Sequence, residues 1–177
     1  LKQPIQSYRF SLNQIARPYF LKNSIVPSAK LKDYQLDGVD WLLKSPYRIL
    51  ADDMGLGKTL QSIVAASKLI TEGKIKNVLI VCPPSLVTNW SEELKKWAPW
   101  FCVYTITNTS NHKDKIWTKL YDYSHFIVTN YEQLREIPLK IKNETIDLII
   151  ADEAHKIRKA TSLVHKGIKS LKYNSFW

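Results

Sequence analysis

The sequence predicts an α/β fold, a parallel β-sheet flanked by helices on both faces. Three observations carry this. The runs Val78–Cys82, Phe126–Thr129 and Asp147–Ala151 are rich in Val, Ile and Leu without polar alternation, the pattern of strands buried on both faces. Stretches with apolar residues at helical spacing lie between such runs. A glycine turn, residues 52–59, stands between an apolar run and a helical one.

The elements follow in order. Residues 1–30 carry Pro4, Pro18 and Pro27 and scattered aromatics and read as an irregular extension. From Lys32 to Lys44, Leu36, Val39, Leu42 and Leu43 recur at helical spacing. Tyr47–Ala51 reads as a short strand, Thr59–Ile70 as a helix, and Gly73 as its stop. Val78–Cys82 is a strand broken by Pro83-Pro84, and Ser85–Trp97 returns to helical spacing. Phe101–Thr107 alternates loosely as a strand. A polar stretch through Ile116 and Leu120 reads as a helix, and Ser162–Leu171 as the last one. Trp41, Trp90 and Trp97 sit at helical positions with apolar neighbours, and Phe176 and Trp177 close a strand. All five are expected in the core, not as base-stacking platforms.

The chain has 177 residues, enough for one domain with its own core. Apolar residues make up 45% and charged ones 24%, which excludes a disordered chain. No apolar run reaches the ~18–20 residues of a membrane helix, so no membrane partner is expected. Two cysteines are no disulfide framework, and reduced thiols inside a cell are expected: the nucleus in a eukaryote, the cytoplasm in a prokaryote. The sequence opens Leu-Lys-Gln-Pro without Met, as expected of a piece of something longer. The net charge is +10. Eleven of the 26 bases lie in residues 1–30 and 154–177, which hold no acid. Such segments are either solvated faces or the footprint of a polyanion, and composition leaves both open.

The glycine turn reads Asp-Asp-Met-Gly-Leu-Gly-Lys-Thr. Gly55 and Gly57 let the backbone curl until successive N–H groups point at a phosphate, and the following helix adds its positive end. Lys58 would reach the β- and γ-phosphates of a nucleotide, and Thr59 would give its hydroxyl to Mg²⁺. Asp52 stands where the strict pattern has Gly. By chance, roughly one chain in a hundred of this length would carry such a turn. The run Leu148–Ala151 leads directly into Asp152-Glu153-Ala154-His155. Acids at the C-terminal end of a buried parallel strand lie where α/β sheets bind ligands. Asp152 would hold Mg²⁺ and Glu153 would orient and deprotonate a water. His155 has no Cys or His at metal-ligand spacing and is a candidate link to the rest of the machine.

Together the two motifs resemble the superfamily-two helicase-like ATPases, and the flanks resemble the Swi/Snf family of DNA-translocating ATPases. Residues 31–42, Leu-Lys-Asp-Tyr-Gln-Leu-Asp-Gly-Val-Asp-Trp-Leu, are similar to that family's adenine-recognition segment, with Gln35 as the base-reading amide. Residues 82–87, Cys-Pro-Pro-Ser-Leu-Val, followed by Trp90, Glu93 and Trp97, resemble the segment after the second strand. Thr129-Asn130-Tyr131-Glu132 resembles the next nucleic-acid-contacting motif, and Ala151–Lys159 the acidic box with its basic tail. The resemblance covers residues 31–177 and implies a RecA-like P-loop NTPase lobe, the first of two, using ATP and Mg²⁺. It implies catalytic roles for Lys58, Asp152 and Glu153. Nucleotide contacts would come from Gln35, Asp53, Met54, Gly55, Leu56, Gly57, Lys58 and Thr59, and metal contacts from Thr59 and Asp152. Double-stranded DNA would be held by Pro84, Ser85, Thr129, Asn130, Lys156 and Arg158.

The departures are few. Asp53 stands where the family has Glu. Asp33 stands where it has Pro, which bears on how that helix starts. The Thr-Gly-Thr-Pro-like turn that couples ATP to DNA, and the second lobe with its arginine finger, do not occur in the sequence. That lobe is an implied partner, and the domain of residues 31–177 is expected to be incomplete. The expected function is the ATP-binding motor lobe of a translocase on duplex DNA, a remodeller or repair enzyme, nearly inactive alone. An unwinding helicase, a restriction-enzyme motor subunit or a non-hydrolysing binding module are the alternatives.

Overall fold

Among the described residues five parallel strands form one sheet in the order β2-β3-β1-β4-β5. They are β1 (Val78–Cys82), β2 (Val103–Ile106), β3 (Phe126–Asn130), β4 (Thr145–Ala151) and β5 (Lys172–Phe176). A computed structural model describes residues 31–53, 55–107, 117, 124–157 and 163–177 of the chain. The helices are α1 (Asp33–Leu43), α2 (Lys58–Thr71), α3 (Val87–Trp97), α4 (Leu139–Asn143) and α5 (Leu163–Lys169), with 3₁₀ turns at Pro84–Leu86, Tyr131–Glu136 and Ala154–Ile157. The extension 1–30 and the helix expected through Ile116 and Leu120 lie outside the described residues, Trp117 excepted.

The uniform apolar runs are explained by two cores. Val78, Ile80, Cys82, Phe126, Val128, Leu148 and Ile150 face one, with α1, α2 and α3 over them. Leu79, Val81, Ile127 and Ile149 face the other, with Leu134, Ile141 and Ile168. Alternate residues of one strand therefore serve opposite cores.

Helix α1 starts at Asp33, whose charge suits the positive end of a helix. The Lys32 N–H donates to Gln35 Oε1 at 3.1 Å and closes that end. Its buried residues are Gln35, Gly38, Val39 and Leu42. Trp41 lies off this stripe and is 43% exposed, contrary to its expected place in the core. Its indole N–H donates to the Ile49 carbonyl at 3.1 Å, and the Arg48 guanidinium lies 4.1 Å over the ring. The same bond explains a second correction. The strand expected over 47–51 shrinks to one bridge, Tyr47 to Phe176. Phe176 donates to Pro46 O and accepts from Arg48 N, and then the ladder ends. Beyond it the Ile49 carbonyl is taken by a helix side chain. Trp90 and Trp177 are buried as expected, at 2% and 8% exposure. Trp97 is half-buried.

Candidate active site

Parallel pairing puts the glycine turn and the acidic box beyond the same edge of the sheet. Phe176 of β5 is the register partner of Ile149 on one side and of Tyr47 on the other. Two residues on from Ile149 the chain reaches Ala151 and then the acids. A few residues on from Tyr47 it reaches Asp52 and the turn. C-terminal edges of parallel sheets are where such folds bind ligands.

Two glycines set the path of the turn. Gly55 and Gly57 have φ of +86° and +78°, which L-residues rarely adopt. Gly57 is also confined, because a Cβ there would stand 2.5 Å from Gln35 Nε2. The first closed bond of α2 runs from Gln61 N–H to Gly57 O at 3.0 Å. The amides of Lys58, Thr59 and Leu60 thus precede the helical ladder, at the end of a helix where N–H groups can meet an anion. Lys58 Nζ curls back on the turn, donating to Asp52 O at 2.6 Å and Asp53 O at 2.9 Å.

Two glutamines hold the turn from behind. Gln35 Nε2 and Gln61 Nε2 both donate to the Leu56 carbonyl, each at 3.2 Å. Gln61 Nε2 also donates to Asp52 Oδ2 at 3.0 Å. This accounts for Asp52 in place of glycine. Its φ is not positive, so no glycine is needed, and its carboxylate accepts from the amide N–H of the wholly buried Gln61.

The acidic box is fixed by three elements. Asp152 N–H donates to Val81 O of β1 at 2.9 Å. Tyr131, at the turn after β3, donates its hydroxyl to Asp152 O at 2.6 Å. Trp90 of α3 donates its indole N–H to Asp152 Oδ2 at 2.8 Å. Glu153 follows at φ +56°, the one non-glycine residue of positive φ among those described. Its Oε2 lies 3.1 Å from His155 Nδ1, and both side chains reach solvent. Burial, reinforced by the Asp152 charge, pushes the Cys82 thiol up to about 12. Burial does the same in direction for the Tyr131 hydroxyl, with smaller contributions from the charge of Asp152, from Cys82 and from Glu153. Tyr131 therefore remains a proton donor at neutral pH.

A family model of the SNF2-related domain matches residues 34–177. The chain belongs to the SNF2-related family. Its sequence is 32% identical over 146 residues to Chromodomain-helicase-DNA-binding protein 1-like of Mus musculus, covering 77% of this chain and 16% of that protein. It is 35% identical over 180 residues to TATA-binding protein-associated factor mot1 of Schizosaccharomyces pombe, covering 91% and 9%. Among solved structures, the Sulfolobus solfataricus SWI2/SNF2 ATPase core in complex with dsDNA superposes with a TM-score of 0.73 at 34% identity, over 84% of this chain and 31% of that one. The sheet and its helices are thus a RecA-like lobe of a SWI2/SNF2 ATPase core. The chain spans less than a third of the length of each of these relatives.

Met54, Arg158 and the Lys156 side chain lie outside the described residues. Gln35 has its Oε1 on Lys32 N and one N–H on Leu56 O, and its second N–H makes no bond among the described residues. Pro84 and Ser85 are exposed in the turn after β1. Thr129 and Asn130 are 0% and 2% exposed. Thr129 Oγ1 donates to Ile106 O at 3.0 Å, and Asn130 Oδ1 accepts from the amides of Glu132 and Gln133. These two side chains shape the turn that carries Tyr131, and neither reaches the surface. Thr59 and Asp152 offer oxygen donors only, and the indole occupies one carboxylate oxygen of Asp152. No cluster of three His, Cys, Asp or Glu occurs among the described residues. Mg²⁺ takes few protein oxygens and completes its shell with phosphate and water, so these donors fit it. Sequence reading missed Gln61 and the roles of Trp90 and Tyr131. The signal for Trp90 was that a buried indole N–H needs a partner.

Proposed function

We propose that this chain is the ATP-binding motor lobe of a DNA-dependent ATPase that moves along duplex DNA. The observation that carries the reading is that the 52–59 turn and the 152–155 box both follow the same edge of the sheet, in an SNF2-related chain. The amides of Lys58, Thr59 and Leu60 receive phosphate oxygens, and the Lys58 ammonium transfers to them from the carbonyls of Asp52 and Asp53. Gln35 offers its remaining N–H to adenine. Thr59 and Asp152 would hold Mg²⁺, which when bound would neutralise charge on the phosphates. Glu153 orients water and takes its proton as the oxygen attacks the γ-phosphorus, and the bond to the β–γ bridging oxygen breaks to leave ADP and phosphate.

Duplex DNA as the track is supported by the Sulfolobus core, which was solved with dsDNA. The exposed turn at Pro84 and Ser85, with Lys156 and Arg158, would touch phosphates without reading sequence. A second lobe supplies an arginine finger, a group worth ~10³–10⁵ in turnover, so the 177-residue chain alone hydrolyses ATP barely above background. Such a protein works in the compartment that holds the DNA.

Calorimetry with ATP tests the nucleotide half. Lys58→Ala is expected to weaken binding about tenfold or more, the loss of a charge-assisted bond of roughly 1.5–3 kcal/mol. Equal affinity for the two chains would defeat the phosphate-loop reading. In a longer protein carrying this lobe, duplex DNA should stimulate hydrolysis, Glu153→Gln should abolish it, and the strands should stay paired. Strand separation would favour an unwinding helicase instead.

A further inference from the structure

We propose that Trp90 and Tyr131 are positioning residues for Asp152, fixing its carboxylate so that Oδ2 is spent on the indole and Oδ1 is left for Mg²⁺. The inference rests on the reading of Asp152 as a holder of the metal of ATP.

Every polar group of Asp152 that the fold can reach is tied to a different element. Its N–H is on Val81 O of β1 at 2.9 Å. Its carbonyl is on the Tyr131 hydroxyl at 2.6 Å, and Oδ2 is on the Trp90 indole at 2.8 Å. The first two bonds fix the backbone and the third fixes the side-chain torsions. Both donors are rigid, with 2% exposure each. The indole has one N–H and no alternative use for it. Helix α3 cannot shift easily, because Val87 and Leu94 anchor it in the core at 5% and 0% exposure. A tryptophan that only filled space could satisfy its N–H on any backbone carbonyl. This one reaches 62 residues along the chain to a part-buried carboxylate. The Tyr131 bond matters for a second reason. It holds the carbonyl just before Glu153, whose φ of +56° needs that peptide fixed. Groups that orient a metal ligand typically change metal affinity 10–100-fold when removed.

The test measures nucleotide binding to the chain by calorimetry, in EDTA and across a Mg²⁺ titration. Trp90→Phe should bind ATP like the wild type in EDTA, but need about tenfold more Mg²⁺ for half-saturation. Tyr131→Phe, which removes one hydroxyl, should shift the Mg²⁺ midpoint in the same direction. Trp97→Phe is the control. Its indole sits on the same helix but donates to Glu93 Oε2 at 2.6 Å, and its midpoint should not move. The ¹H–¹⁵N indole resonance of Trp90, assigned by its loss in Trp90→Phe, should shift in Asp152→Asn. An unmoved Mg²⁺ midpoint in Trp90→Phe overturns the proposal, whether or not the resonance shifts. Wild type that binds no nucleotide under any condition defeats the proposed function instead, and the resonance then still decides whether Trp90 holds Asp152.

Discussion

Gly38 of α1 lies so close to the Gln61 amide of α2 that a Cβ at residue 38 would overlap Gln61 Oε1. Gln61 cannot swing aside freely, because its Nε2 is held by Asp52 and Leu56 and its side chain is wholly buried. Gly38→Ala should therefore destabilise the fold by ~1–3 kcal/mol, the usual cost of overpacking. It should also loosen the phosphate turn and weaken ATP binding. Urea unfolding and calorimetry check the two effects. An alanine chain as stable as the wild type would mean that the helices part at no cost.

Glu153 sits at φ +56° with its side chain partly in solvent. A non-glycine residue there stores strain of order 1–2 kcal/mol. Glu153→Gly should raise stability by about 1 kcal/mol, while Glu153→Gln should leave it unchanged. Both remove the carboxylate that is proposed to accept the proton. Thermal unfolding of the three chains separates strain from chemistry. A glycine chain no more stable than wild type would show that the turn is unstrained.

The site is legible in the sequence where local chemistry carries it. Glycines at 55 and 57, Lys58-Thr59 behind them, and two acids after an apolar strand need only nearest neighbours to be read. What is not legible comes from non-local bonds. The buried stripe of α1 includes Gln35 and Gly38, which a hydropathy pattern does not count, so the pattern runs through Leu36 instead, which is 47% exposed, and Trp41 is expected in the core beside it. The strand over 47–51 has the right composition, but an indole from α1 takes the Ile49 carbonyl. Trp90 reads as buried and is, yet its partner lies 62 residues away. Thr129 and Asn130 sit in a recognisable motif. Only the fold shows that their side chains bond inwards and that Tyr131 beside them reaches the acid box.

The buried thiol gives a pH dependence. Cys82 is raised from an ordinary 9.0 to about 12, and the Tyr131 hydroxyl is raised as well. In both the folded state favours the protonated form. Above pH 9 the unfolded chain loses protons that the folded chain keeps, so stability is full below about 9 and falls as pH rises toward 12. Denaturant midpoints should drop between about pH 9 and 11, and Cys82→Ala should flatten part of that fall. The same burial protects the thiol. Iodoacetamide at about pH 8 should label the exposed Cys102 in the native chain, and Cys82 only after unfolding. Native labelling of Cys82 at a comparable rate would contradict its burial.

The charge at the two ends sets a salt dependence for DNA binding. The net +10 is concentrated in residues 1–30 and 154–177, where eleven bases stand without an acid. If these segments lie along phosphates, each contact releases counterions, and log affinity falls linearly with log salt. Engaging about four phosphates would lower duplex affinity roughly a hundredfold between 50 and 200 mM salt. Two unrelated duplexes of equal length should bind alike, because phosphate contacts carry no sequence information. Fluorescence anisotropy over a salt series measures both. Removing three bases from the 1–30 segment should make the salt dependence shallower, by about one unit of slope for each phosphate no longer neutralised. A flat salt dependence, or no binding at low salt, would assign these charges to solvated faces and leave DNA to be held by other parts of a longer protein.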